Sequence, residues 1–249
     1  MTAADRSRPW QAADPAPSRR EIAAFALALA VAGLVTLTLV FAGTGVYHDV
    51  AMREDIARQA FRVPGWPDPA FGGGIEIVRY PHGTLVDLHR RTLAYVLGDA
   101  ADLPASPTRG EFYSPEERSH LADVRAVFLG ARIAMVVALA LLALLAVRAR
   151  DARRFARLAR SGALASACTV LLLAGAAAIA FDAMFLLFHQ IFFPQGNFLF
   201  DPRASNMLTL YPEAYFYSVA IRIGLAFVAV AGVVAVVSHL ALRRRGASA

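Results

Sequence analysis

The sequence predicts an all-α polytopic membrane protein: a bundle of four transmembrane helices with a small extracytoplasmic cap between helices 1 and 2. Two observations carry this. The 249 residues are 57% hydrophobic, with mean hydropathy +0.49, and the apolar residues gather in four runs. Each run exceeds the about 20 residues that a bilayer crossing takes. The charge is also sorted: the net +6 rests on arginine alone, with no lysine, and the arginines cluster between runs rather than spreading over a surface. That placement excludes a nucleic-acid-binding patch and reads as a topology signal.

The elements follow in order. Residues 1–20 are rich in Ala and Pro and carry Arg6, Arg8, Arg19 and Arg20. A tail this poor in bulky apolar residues is expected to be disordered. Residues 21–46 form the first span, too long for a secretory h-region of about 7–15 residues and so read as an uncleaved anchor. Residues 47–123 form the cap. Within it "DVAMREDIARQAF" reads as a surface helix, "PGWPDPAFGGG" as turns and the alternating "IEIVRY" as a short strand. "LVDLHRRTLAYVLG" is amphipathic, with Leu85, Leu88, Leu93, Val96 and Leu97 near one face. The three glycines 72–74 lack the following helix of a phosphate loop and read as a turn.

In "FYSPEERSHLADVR", Ser114 caps a helix, Pro115 opens it and Glu117 completes a capping box. That helix runs straight into the second span, 124–147. Residues 148–161 hold Arg148, Arg150, Arg153, Arg154, Arg157 and Arg160 and read as a basic loop. The third span covers 162–188, an outer loop 189–214, the fourth span 215–242, and a tail 243–249 carries Arg243, Arg244 and Arg245. With four spans the three basic segments share one side, which the positive-inside rule makes the cytoplasm. Both termini are then cytoplasmic, and the cap and the 189–214 loop lie outside.

This topology brings His120 and His189 to the same outer depth, where two imidazoles form a candidate acid–base pair. Interfacial histidines making ordinary hydrogen bonds are the plain alternative. Arg132, Asp182 and Arg222 fall in the outer half of the spans. Charges there pair or line a cavity, so Asp182 is expected to pair with Arg132 or Arg222. Glu117 and His120 have the Glu-x-x-His spacing of bundle metal sites, but the further carboxylates are missing and the capping box explains Glu117. No metal or cofactor is therefore expected. Cys168 lies a membrane thickness from the histidines, and no serine sits in a nucleophile elbow, so an enzyme here would work without a covalent intermediate. A non-catalytic scaffold and a metal-binding intramembrane hydrolase remain open on these residues alone.

The blocks "EFYSPEERSHLADVRAVF" and "FHQIFFPQGNFLFDPRASNMLTLYPEAYFY" resemble the two signature blocks of the lipoprotein intramolecular transacylase (Lit) family, small four-span bacterial membrane proteins. The family pattern differs at Phe198, usually tryptophan, and at Asn206, Met207 and Leu208, usually an acidic residue followed by Leu-Ile. The resemblance implies transfer of the sn-2 acyl chain of a lipoprotein's diacylglyceryl-modified N-terminal cysteine onto its own α-amine, giving a lyso-form lipoprotein. It implies His120 and His189 as the catalytic pair, a diacylated lipoprotein and membrane lipid as partners, and the bacterial cytoplasmic membrane as location. Asp123, Arg125, Arg132, Asp182, Asn197 and Arg222 are the candidates for supporting, oxyanion-stabilising or substrate-binding roles.

Overall fold

The computed structural model describes residues 16–68 and 72–246. Residues 1–15 of the expected N-terminal tail and the last three residues lie outside the described residues. Four helices are long and apolar enough to cross a bilayer: α1 (Arg19–Phe41), α4 (Pro115–Arg148), α5 (Ala152–Ile179) and α8 (Glu213–Gly246). The remaining elements are α2 (Thr44–Arg53), a 3-10 turn (Ile56–Arg58), β1 (Phe61–Asp68), β2 (Gly72–Val78), α3 (His82–Leu97), α6 (Phe181–Phe192) and the short α7 (Asn206–Leu210). The protein is a multi-pass membrane protein built on a four-helix bundle.

α1 packs against α4, α5 and α8, and α5 packs along α8. Small residues permit this, since lipid offers no hydrophobic drive and helix association rests on close packing. Ala28, Ala32 and Ala138 form one such seam. A Cβ on Gly162 would stand 2.5 Å from Phe25 Cδ1, and one on Gly33 would stand 2.7 Å from the Phe227 ring. Both glycines let an aromatic ring lie flat on a neighbouring helix. At the end away from the cap, Ser18 and Glu21 form a capping box, and Glu21 Oε1 accepts from Arg154 Nη2 at 2.7 Å.

Several boundaries differ from expectation. The 148–161 segment is helical from Ala152, capped by Asp151, whose side chain accepts from Arg154 N. Only residues 149–151 link α4 to α5, with Arg150 at a φ of 53°. Four of the six clustered arginines thus sit on the first turns of α5. The third span breaks at Ala180 (φ −137°, ψ 55°) into α5 and α6. The surface helix after Tyr47 ends at Arg53, because Asp55 takes a left-handed φ of 50° and turns Ile56 inward. "IEIVRY" does supply strand β2, which pairs antiparallel with β1.

α4 is the element that positions the site. Its 34 residues span about 51 Å at 1.5 Å per residue, against about 30 Å of hydrocarbon. The polar first turns therefore project beyond the apolar slab into the cap. The capping box at Ser114 and Glu117 is present, with Pro115 at its start. The cap and the 189–214 segment, expected as separate outer pieces, share one core: Tyr47, Val50, Phe61, Leu85 and Phe112 pack with Met207, Leu210 and Tyr215. Asn206 stitches them, accepting from Arg62 N at 2.8 Å and donating to the carbonyls of Arg62 and Phe112 at 2.6 and 2.7 Å.

Candidate active site

Glu117 and His120 lie one turn apart at the head of α4, and Glu117 locks that turn. It is 2% exposed. Its Oε2 accepts from Ser114 N, while Oε1 accepts from Ser205 Oγ at 2.5 Å and Met207 N at 2.8 Å. These bonds fill both carboxylate oxygens, so Glu117 is a brace between α4 and the segment before α7.

His120 is 5% exposed. Its ring lies 5.9 Å from that of His189 at an interplanar angle of 19°. Phe193 touches both rings, at 4.8 and 5.4 Å, and Phe185, Phe198 and Phe200 complete an aromatic box. His189 Nδ1 is 2.8 Å from Phe185 O. A carbonyl only accepts, so Nδ1 carries the proton and Nε2 is left to exchange one. His120 Nδ1 is buried, and the Asn197 side chain hydrogen-bonds this ring. Beside it, Asn197 Nδ2 donates to Asp123 Oδ2 at 2.5 Å, and Gln195 Nε2 donates to the same oxygen at 2.8 Å. Asp123, one turn beyond His120, thereby draws the loop after α6 onto α4.

The two histidines line a cavity of about 450 Å³, within the ~300–1,000 Å³ typical of small-molecule sites. Its wall is mostly apolar and aromatic, with His89, Thr92, Tyr211, Glu213 and Tyr215 as further polar members. His89 is 1% exposed and stacks on Tyr47 at 4.2 Å. Its Nδ1 lies 3.3 Å from Tyr211 Oη. Burial pushes its pKa down to about 4, against weaker opposing hydrogen bonds to the Ala42 and Gly43 backbone. Burial raises the Tyr211 phenol well above its ordinary value. Tyr211 and Glu213 were not singled out from sequence. The only available signal was that both fall in the second family block.

Other candidates lie elsewhere. Arg132 Nη1 donates to Leu97 O at 2.7 Å, and Arg125 Nη1 to Ala100 O at 2.6 Å while its guanidinium covers the Tyr95 ring. Arg132 thus satisfies a carbonyl at the C-terminal end of α3, where a helix is electronegative, Arg125 one in the turn that follows, and both are absent from the cavity wall. Arg222 faces Asp49 at 3.9 Å. The expected pairing of Asp182 with Arg132 or Arg222 does not occur. Asp182 instead lies beside Glu213, at the start of α8. Cys168 is exposed on α5, twelve residues before the break.

Three comparisons bear on this arrangement. No curated protein matches the chain in sequence. The membrane-integral lipoprotein intramolecular transacylase Lit from Bacillus cereus, solved in meso, has a similar structure: TM-score 0.68 at 16% identity, covering 93% of this chain and 98% of that one. Two histidine variants of the same Bacillus cereus protein, one to arginine and one to alanine, give TM-scores of 0.70 and 0.69 at 16% identity. They cover 93% of this chain and 94% and 96% of theirs. At this identity the likeness is one of fold. The family model of the lipoprotein intramolecular transacylase Lit matches residues 78–216, a stretch that contains both histidines, the brace at Glu117 and the cavity wall from α3 to α8. Since that is more than half of the sequence, the chain belongs to the lipoprotein intramolecular transacylase family.

Proposed function

We propose that the chain moves the sn-2 acyl chain of a diacylglyceryl-modified N-terminal cysteine onto the α-amine of the same cysteine. The observation that carries this reading is the His120–His189 pair in a mostly apolar cavity of about 450 Å³, within the segment that matches the family. Arginine placement supports a site at the extracytoplasmic face, with both termini cytoplasmic.

In this reaction a C–N bond forms and the ester C–O bond breaks. Starting from the ammonium form, nitrogen loses two protons: one ends on the glyceryl oxygen and one leaves to water. Amine and ester belong to one molecule, so orientation in the cavity replaces an enzyme nucleophile. His189 is suited to act as the base, because its Nδ1–H is committed to Phe185 O and its Nε2 is available. His120, buried and stacked nearby, offers a neutral imidazole N–H to the departing glyceryl oxygen. Asn197 and Asp123, joined to each other, lie beside that ring. The buried hydroxyl of Tyr211, on the cavity wall, is the donor nearest in kind for the carbonyl oxygen as it becomes an oxyanion, a role first sought in Arg125, Arg132 and Asn197. That of Tyr215 is given to Ala42 O.

Mass spectrometry of lipoprotein N-termini from cells with and without the protein tests the reading. Lyso-form product should appear with wild type and vanish with His120→Ala or His189→Ala, each still folded and inserted. Full conversion by both variants would refute the assignment. His239→Ala, near the far end of α8, should convert normally.

A further inference from the structure

We infer that a second hollow, outside the histidine cavity, receives the polypeptide that follows the modified cysteine, in extended form. This rests on the function proposed above and adds to it a place for the protein part of the substrate. The hollow measures about 660 Å³ and lies between the outermost turn of α4 and the 197–205 segment. Ser114 and Ser119 line it from the α4 side, and Leu199, Asp201 and Ala204 from the facing segment. All five are exposed, so the hollow stands open at the end of α4 that projects beyond the apolar slab.

Three features make a polypeptide the fitting occupant. The first is continuity. Phe200 lines both the hollow and the histidine cavity, and Ser119 directly precedes His120 on α4. A cysteine whose amine and ester lie at the two histidines leaves its acyl chains in the mostly apolar cavity. Its peptide chain has to exit, because N–H and C=O groups left unpaired against an apolar wall are costly. Phe200 is the shared wall past which the chain leaves. The second feature is main-chain capacity. Residues 198–200 belong to no helix or strand, and their main-chain N–H and C=O groups take no hydrogen bond among the described residues. An extended substrate chain pairs with such groups as an added strand does. The third is Leu199, 78% exposed at the rim, which offers apolar surface to a substrate side chain. From Ser114 to Ser119 the helix rises about 7.5 Å, the advance of about two extended residues. The hollow thus holds the two residues that follow the cysteine.

The test uses three substrates: the amide of diacylglyceryl-cysteine, the same molecule extended by two residues, and one extended by five. N-acylation by the full-length protein in detergent is read by fragmentation mass spectrometry, and kcat/KM is compared. Two residues should raise kcat/KM about 10-fold (about 1.4 kcal/mol), the size of one or two net hydrogen bonds. Three more should add little. Ser119→Trp and Ala204→Trp fill the hollow from its two walls, and each should lose most of that gain, with a detergent melt showing that it is folded. Equal kcat/KM of wild type on all three substrates would overturn the subsite and leave the acyl transfer standing. A gain that survives in both tryptophan variants would overturn it too. If wild type acylates none of the three, the functional reading falls, and the subsite with it.

Discussion

Replacing Glu117 should collapse the site without touching a catalytic atom. Its carboxylate is 2% exposed and serves three donors: Ser114 N, Ser205 Oγ and Met207 N. Glu117→Ala removes the acceptor from all of them. Loss of the helix cap costs about 1 kcal/mol, and each of the two bonds from Ser205 and Met207 to the buried charge about 1.5–3 kcal/mol. The total is about 4–7 kcal/mol, or roughly 10–20 °C in melting temperature for a chain of this size. Glu117→Gln keeps a carbonyl for Ser205 and Met207 but turns an amide N–H₂ toward the Ser114 N–H. It should lose roughly half as much. The assay is thermal unfolding in detergent, read beside lyso-form production. Ser205→Ala combined with Glu117→Ala should cost less than the sum of the single variants, because both remove the same bond. A Glu117→Ala protein melting within 3 °C of wild type, or strict additivity with Ser205→Ala, would refute the brace.

Further outcomes follow from the same geometry. Gly162→Ala should destabilise the bundle by about 1–3 kcal/mol through overpacking against Phe25, and Phe25→Leu in the same chain should recover most of the loss in a detergent melt. His89 has a folded pKa of about 4, below the ordinary 6.5 of the unfolded chain. Its contribution is present above pH 6.5 and lost as pH falls toward 4, at about 1.4 kcal/mol per pH unit. The stability of His89→Phe should fall less steeply than that of wild type over that window. In a Cys168→Ala background, Arg153→Cys should resist an impermeant thiol reagent in intact cells and react after permeabilisation. Labelling from outside would invert the proposed topology.

The bundle was legible in the sequence because span formation is a local property. About 20 consecutive apolar residues and a sorted set of arginines suffice, whatever the rest of the chain does. The start of α4 was equally legible, since Ser114, Pro115 and Glu117 act within one turn. His120 and His189 were singled out because four spans bring their segments to one end and the second block surrounds His189. Their 5.9 Å separation, the commitment of His189 Nδ1 to Phe185 O, and the Asp123–Asn197 link beside His120 depend on where α6 points. That direction is decided at Ala180, inside an apolar run whose composition carries no break signal. Asp182, just past the break, lies beside Glu213 rather than an arginine. Likewise Arg125 and Arg132 follow the burial cost of charge, yet their partners are backbone carbonyls at and just beyond the end of α3, which have no side-chain signature. Sequence alone determined the spans, the basic segments and the two histidines. Tertiary structure decided which charges meet, because pairing depends on helix direction and on main-chain atoms that every residue shares.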